Sequence, residues 1–191
     1  MPSFAPRLTR VLRGTRIQLD AINSEDIDTL VQWYGDSEFL RLFDTSTAYP
    51  LPREHLQRYI MTKQNSATDF VFAIRRLGDP GMLGYIELVN IEWNNGVGQV
   101  GIGIGDPAQR GKGYGREALT LLLDFAFTEL NLYRLQLHVI AYNVCAIHLY
   151  EKLGFRREGT LRAYVHRDGK RYDLYVYGLL RPEWEVRGAL G

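Results

Sequence analysis

The sequence lacks the features that mark secreted and membrane-spanning proteins. It contains one cysteine, Cys145, among 191 residues, so no disulfide can form within the chain, which is typical of a reducing compartment. Its most apolar stretch, Leu119–Phe127, is interrupted by Asp124 and is too short to cross a bilayer. The first residues contain no apolar segment of the signal-peptide type. We therefore expect a soluble, cytoplasmic protein that has no membrane partner.

An excess of charge of either sign is also missing. The 23 Lys and Arg residues against 22 Asp and Glu leave a formal net charge of +1. Proteins that bind nucleic acids by neutralising phosphates carry a clear basic excess, so we expect no nucleic-acid partner. The histidines, among them His138 and His166, show no ligand spacing. We expect no metal and assign both histidines a structural or surface role.

Neither a linker nor an internal repeat divides the chain, whose 46% hydrophobic composition suits one folded domain. We therefore predict a single α/β domain over residues 1–191, with its core at about residues 14–184. Apolar residues alternate with polar ones at Thr15–Ala21, which predicts a strand there. Further strands are predicted at Phe70–Arg76, Met82–Trp93, Val97–Ile104, Arg134–Ala141, Gly159–His166 and Arg171–Leu180. Helical spacing predicts helices at Ile27–Tyr34, Pro52–Lys63, Gly115–Leu130 and Val144–Leu153, with a loop or broken helix at Gly35–Pro50.

The segment Asn94-Asn95-Gly96 predicts a hairpin between two of these strands, because Asn-Gly is the strongest short signal for a two-residue turn. With such a turn, Glu92 pairs with Gln99 and shares a face with two glycines further along the strand. These positions lack bulk, so we expect that face to be open. Glu87 falls on the opposite face in this register.

Three glycines at alternate positions, Gly111, Gly113 and Gly115, lie between a predicted strand and a predicted helix. Glycine lets the backbone approach a ligand closely, and the first turn of a helix offers unpaired N–H groups that attract an anion. Arg110 and Lys112 add positive charge beside them. The segment therefore suits a pyrophosphate; a tight turn with solvated basic residues is the alternative interpretation.

Two other phosphate motifs fail on their spacing. A P-loop has four residues between its first glycine and the Gly-Lys pair, whereas Gly105 and Gly111 enclose five and Lys112 is followed by glycine. A dinucleotide fingerprint opens a helix within a βαβ unit, but Pro107 and a long gap separate Gly103-Ile104-Gly105 from the helix. An unrelated nucleotide-binding domain that uses the same glycine turn stays as an alternative.

Together with residues downstream, the glycine segment resembles the GNAT superfamily of N-acetyltransferases. Arg110, Gly113 and Gly115 fill its phosphate-binding signature, which is Gln or Arg, two residues, Gly, one residue, and Gly or Ala. Further matches follow in order at Asn143, Ala146, Tyr150 and Gly154-Phe155. The segments at residues 15–19 and 173–184 resemble the RimJ/RimL-like branch of ribosomal-protein N-terminal acetyltransferases.

This resemblance implies a mixed, mostly antiparallel central sheet flanked by helices, and acetyl-CoA as co-substrate. The acetyl group would pass by direct attack to a primary amine, either a protein N-terminus or a small molecule, without Cys145 as a nucleophile. A homodimer through an edge strand is an open alternative to a monomer. The residues that the resemblance assigns to cofactor binding are Ile102, Ile104, Arg110, Gly111, Lys112, Gly113, Tyr114, Gly115 and Asn143, the last of which also fits a helix N-cap.

Tyr150 and Glu92 are the candidate catalytic residues. Tyr150 occupies the family position whose phenol would protonate the leaving thiolate; a core tyrosine is the alternative. Many relatives carry a glutamate where this chain has Gln99, which cannot take up a proton. Because Glu92 shares a face with Gln99 in the predicted register, we assign it as a base acting through water, with a solvated carboxylate as the alternative. The missing acid also favours a second function, a catalytically weak acyl-CoA-binding sensor module.

Overall fold

The alternating apolar segments build one mixed sheet. A computed structural model of the chain describes residues 11–189, and the ends of the predicted domain, 1–10 and 190–191, lie outside them. The strands are β1 (Ile17–Asp20), β2 (Phe70–Arg76), β3 (Met82–Glu92), β4 (Val97–Ile104), β5 (Arg134–Ile140), β6 (Arg156–Arg167) and β7 (Lys170–Leu180). Their order in the sheet is β1-β2-β3-β4-β5-β7-β6. Only β4 and β5 are parallel neighbours in this sheet, so the predicted mixed, mostly antiparallel architecture is confirmed.

Helices cover both faces of the sheet. They are α1 (Asp26–Gly35), α2 (Ser37–Phe43), α3 (Arg53–Gln64), α4 (Tyr114–Asp124), α5 (Val144–Leu153) and α6 (Arg181–Ala189). Helix α4 continues as a π-helical turn over Phe125–Glu129, and α2 lies within the segment predicted to be a loop or broken helix. Helix α6 was not predicted. Within residues 11–189, no helix combines the length and apolarity that crossing a membrane requires.

Two hydrophobic cores lie on opposite faces of the sheet. Helices α1–α3 pack with residues such as Tyr85 of β3, whereas α4 and α5 pack against the other face, which includes Ile86 of the same strand. Successive strand residues point to opposite faces, so β3 serves both cores. As a result, Tyr85 faces α1–α3 and, by alternation, so does Glu87, whereas Ile86 and Leu88 face α4 and α5.

The predicted hairpin register is wrong. The connection between β3 and β4 is a four-residue turn over 93–96, and Glu92 pairs with Val97 instead of Gln99. A β-bulge follows in β3, where Asn90 has φ +53° and its N–H donates to Asp69 Oδ1 at 2.9 Å. The longer turn and the bulge shift the pairing, because each additional residue changes which residues lie opposite one another.

In the observed register the glycines of β4 make room for large side chains. A Cβ atom at Gly101 would lie 2.9 Å from Glu87 Oε1, and one at Gly103 would lie 3.0 Å from the Phe39 ring. Just beyond the strand, a Cβ at Gly105 would lie 1.8 Å from the Trp33 ring. At Gly103 and Gly105 the face expected to be open is therefore filled by α1 and α2, whereas Gln99 and Gly101, next to Glu87, border a cavity.

Gly105→Ala should lower the free energy of unfolding by about 1–3 kcal/mol, because the new methyl group overlaps the buried Trp33 ring and α1 must move. The midpoint of urea unfolding measures this change. Gly35→Ala at the end of α1 is the matched control, since no atom lies within 4 Å of the added Cβ. Equal midpoints for the two variants would contradict the close packing at Gly105.

Candidate active site

The sheet opens between its two parallel strands. Strand β4 pairs with β5 only at residues 97–99, which lie opposite residues 134–136, and the two strands separate beyond them. Backbone groups alternate in direction along a strand, and the Gly105 N–H donates to Leu83 of β3 at 3.0 Å. The amides of Ile104 and Ile102 therefore point away from β3, into the gap on the side of β5. This gap presents unpaired backbone of β4 to a ligand.

A cavity of about 490 Å³ lies where the two strands separate. Its walls come from β3, β4 and β5, from α3 and α5, and from the loop between α2 and α3. The side chains that bring polar or aromatic chemistry to it are Tyr34, Phe43, Asp44, Thr45, Ser46, Thr47, Tyr49, His55, Tyr59, Lys63, Glu87, Asn90, Gln99, His138, Asn143, Tyr150 and Tyr164. His138 thus contributes to the cavity wall, which its sequence context did not predict.

The glycine segment forms the turn that precedes α4. Gly111 and Gly113 have φ values of +74° and +86°, a region that other residues enter only with strain. Gly113 is the N-cap of α4, and the Glu117 N–H donates to its carbonyl at 3.1 Å. The amides of Tyr114, Gly115 and Arg116 precede the first intrahelical bond and point out of the helix end. This end of the gap is suited to an anion.

The basic side chains of this segment have structural partners. Arg110 donates from Nε to the Ile104 carbonyl at 3.1 Å and from Nη2 to the Gly105 carbonyl at 3.2 Å, and it forms an ion pair with Glu38 at 3.2 Å. Lys112 Nζ lies 3.3 Å from Gln109 Oε1. Arg110 thus holds the end of β4, while the backbone N–H groups are left for a ligand.

The ring of Tyr114 lies between two arginines. The guanidinium carbons of Arg16 and Arg76 are 5.2 and 5.5 Å from the ring centroid. Arg76 Nε also donates to the Tyr114 hydroxyl at 3.4 Å, and this contact lowers the pKa of that phenol. The side chain of Tyr114 therefore fixes the start of α4 against β1 and β2.

Helix α5 brings Asn143 and Tyr150 to the opposite side of the gap. Asn143 Oδ1 accepts from the Ala146 N–H at 3.2 Å, which confirms the predicted N-cap, and its Nδ2 donates to the Leu42 carbonyl at 3.1 Å. Tyr150 is buried with its ring at 5.9 Å from Phe155, and it lines the cavity. Burial raises the pKa of the Tyr150 phenol, which keeps the hydroxyl protonated near neutral pH.

Glu87, not Glu92, brings a carboxylate to the cavity. Glu92 is exposed at the hairpin and accepts from Asn95 Nδ2 at 2.7 Å, outside the cavity lining. Glu87 lies opposite Gly101, and its Oε2 atom is buried without a hydrogen-bond partner among the described residues. The signal that sequence reasoning missed is this pairing of an acid with a glycine, which only the correct register shows.

The electrostatic environment of Glu87 suits proton exchange. Burial raises the pKa of its carboxyl to about 7. The positive charge of Lys63 opposes this shift, and the negative charges of Asp44 and Asp69 add to it. A carboxyl group whose pKa lies near the working pH can take up and release a proton during turnover.

The hairpin between β6 and β7 holds the loop that borders the cavity. Arg167 Nη2 donates to the backbone carbonyls of Thr45 at 3.0 Å and Ser46 at 2.7 Å. Its neighbour Asp168 forms an ion pair with Arg41 at the end of α2. The strand pair at the far edge of the sheet therefore fixes the position of one cavity wall.

Comparison with known proteins decides the family. The model of the acetyltransferase (GNAT) domain matches residues 16–156. The chain belongs to this family. Because GNAT acetyltransferases use acetyl-CoA, the predicted enzyme class and co-substrate are confirmed. Within residues 11–189, no group of three or more His, Cys, Asp or Glu side chains could hold a metal ion.

Several relatives of this GNAT protein are N-acetyltransferases. An uncharacterized, prophage-derived N-acetyltransferase of Bacillus subtilis is 32% identical over 91% of this chain and 94% of the relative. Spermidine N(1)-acetyltransferase of Vibrio cholerae is 37% identical over 54% of this chain and 59% of the relative. The crystal structure of a V. cholerae spermidine N-acetyltransferase, in complex with CoA and spermine, superimposes with a TM-score of 0.82 at 24% identity, covering 90% of this chain and 99% of that one. This last likeness shows a shared fold.

Proposed function

We propose that this protein transfers the acetyl group of acetyl-CoA to the primary amine of a small molecule by direct attack. The observation that carries the proposal is the unpaired carboxylate of Glu87 in a cavity that opens where β4 and β5 separate. Glu87 is the proposed base and Tyr150 the proposed acid. The sensor alternative rests on Gln99, whose amide cannot take up a proton. Glu87 borders the same cavity and offers a carboxylate in its place.

The described residues fit acetyl-CoA along the gap. The outward amides at the start of α4 and the turn at Gly111 and Gly113 suit the pyrophosphate. The N–H groups of Ile102 and Ile104, which point into the gap, suit the carbonyl groups of the pantetheine arm, and the Ile102 N–H would donate to the thioester carbonyl oxygen. Bound in this way, acetyl-CoA supplies an activated acetyl group at the cavity.

Two side chains, Glu87 and Tyr150, accept and donate the protons that move during the transfer. Glu87 takes one proton from the incoming ammonium, directly or through water, which frees the nitrogen lone pair. A bond forms from that nitrogen to the acetyl carbon while the carbon–sulfur bond breaks, and the Tyr150 hydroxyl donates a proton to the leaving sulfur. The second nitrogen proton then restores the Tyr150 phenol, and Glu87 releases its proton to solvent.

Tyr150→Phe should reduce kcat by about 10²-fold with little change in the KM for acetyl-CoA, because the thiolate would leave without a proton donor. Steady-state assays of thiol release measure both constants. Tyr133→Phe is the control, since Tyr133 is exposed and lies outside the cavity lining. An unchanged kcat in Tyr150→Phe would leave Tyr150 as a packing residue only.

The acceptor class is tested by a panel of amines. Relatives named spermidine N-acetyltransferases support a small amine. The RimJ/RimL-like segments at residues 15–19 and 173–184 support a protein N-terminus as the competing class. Thiol release from acetyl-CoA and the mass of the product, measured with small amines, polyamines and N-terminal peptides, separate these classes. Binding of acetyl-CoA without release for any acceptor would favour the sensor.

A further inference from the structure

We propose that the acceptor carries a single ammonium group on an apolar or aromatic body, and that polyamines are poor acceptors. This inference rests on the proposed function and concerns the same cavity. Three features of the cavity support it: the number of free carboxylates, the position of a lysine, and the composition of the walls.

One carboxylate of the cavity has a buried oxygen that is left for an ammonium group. Two acidic side chains line the cavity, Glu87 and Asp44. Asp44 is exposed, and its Oδ1 accepts from the backbone N–H and the hydroxyl of Ser46 at 3.1 and 3.2 Å. Glu87 Oε2 has no partner within the part of the chain that the structure describes. A single buried anion can compensate a single buried cation.

A positive charge already occupies the cavity wall. Lys63 lines the cavity, with its Nζ at 3.6 Å from Asp69 Oδ2 and 5.9 Å from the centre of the Tyr59 ring. The charge of Asp69 is thus taken up by Lys63, and Asp69 also accepts from the Asn90 N–H. The two histidines of the lining, His55 and His138, supply no negative charge. A second ammonium near Lys63 would therefore find no buried carboxylate that is not already paired.

The remaining walls suit an uncharged body. Aromatic side chains line the cavity at Tyr34, Phe43, Tyr49, Tyr59 and Tyr164. The Tyr34 hydroxyl lies 2.7 Å from that of Tyr85, and burial raises the pKa of Tyr34 to about 12, so it stays neutral. A cavity of about 490 Å³ holds one small molecule of this kind.

Hexylamine and 1,6-diaminohexane form the sharpest pair of test acceptors, because they have the same length and differ by one ammonium group. We expect kcat/KM to be at least about tenfold higher for hexylamine, and phenethylamine to exceed spermidine by a similar factor. Preference for diaminohexane or spermidine would overturn this inference while supporting the proposed function. If no amine gave thiol release, the proposed function itself would be overturned.

Lys63→Met identifies the source of the discrimination. It should reduce the preference for hexylamine over diaminohexane several-fold, since Asp69 then loses its partner and can compensate the second ammonium group. Arg58→Met removes a positive charge from the same helix at an exposed position outside the cavity lining and should leave the ratio unchanged. An unchanged ratio in Lys63→Met, or an equal change in both variants, would overturn the role of Lys63. The comparison in the wild-type protein needs neither variant.

Discussion

Glu87→Gln is expected to lower kcat/KM for amine acetylation by about 10²- to 10⁴-fold, the range that a positioned general base contributes. The amide keeps the size of the side chain beside Gly101 but cannot accept a proton. Acetyl-CoA binding should persist, because the glycine turn and the gap-facing amides of β4 are unchanged. Assays of thiol release and titration with CoA measure the two effects separately.

The pH dependence makes this prediction specific. With its pKa raised to about 7, Glu87 becomes an active base as the pH rises through 7, so kcat/KM of the wild type should rise there. That inflection should vanish in Glu87→Gln. Glu92→Gln is the matched control, because the same change is made at the exposed hairpin. If Glu92→Gln lost activity and Glu87→Gln kept it, the base would be misassigned.

Stability provides a readout of Glu87 that does not depend on turnover. Its folded-state pKa of about 7 exceeds its ordinary value of 4.5, so the folded protein binds this proton more tightly than the unfolded chain. The contribution of Glu87 to the free energy of unfolding is therefore largest below pH 4.5. It falls by about 3 kcal/mol at most as the pH rises to 7. Glu87→Gln should remove this slope from urea unfolding measured between pH 5 and 8.

Local sequence signals were sufficient for the strands and for the glycine turn. Strands β2 and β4 begin and end at the predicted residues, since a short apolar run bounded by polar and turn residues is recognised from neighbours in sequence. The αL residue Gly154 ends α5 for a similarly local reason. Helix α2 also had a local signal that was missed: Asp36 caps it by accepting from the Glu38 N–H at 2.9 Å.

The proposed base, Glu87, could not be located from local signals. Which acid faces the cavity depends on the bulge at Asn90, and that bulge is held by Asp69, which lies 21 residues earlier in the chain. The Asn95-Gly96 pair indicated a tighter turn than the one that forms. A contact distant in sequence therefore decides the register, and the register decides that Glu87 and not Glu92 faces the cavity.

The second large effect concerns a buried ion pair between α1 and β2. Arg75 and Asp26 are 4% and 6% exposed, and they meet through two parallel contacts of 2.9 and 2.6 Å. Arg75 also donates to the carbonyls of Ala21 and Pro80, and Asp26 accepts from the Asn23 N–H. Both charges are thus compensated and hydrogen-bonded, which burial requires.

Asp26→Asn should lower the free energy of unfolding by about 3 kcal/mol, because the buried guanidinium of Arg75 then keeps only Asp20, half exposed and 3.6 Å from its Nε, as a counter-charge. Urea unfolding at pH 7 measures the loss. Asp28→Asn is the matched control on the same helix, since the pair that Asp28 forms with Arg53 is exposed and should contribute less than about 1 kcal/mol. Replacing both buried partners, as Asp26→Leu with Arg75→Met, should recover most of the loss, because no buried charge is then left without a partner and Asp20 is half exposed. A double variant as unstable as Asp26→Asn would show that the loss comes from packing at this junction and not from the unpaired charge.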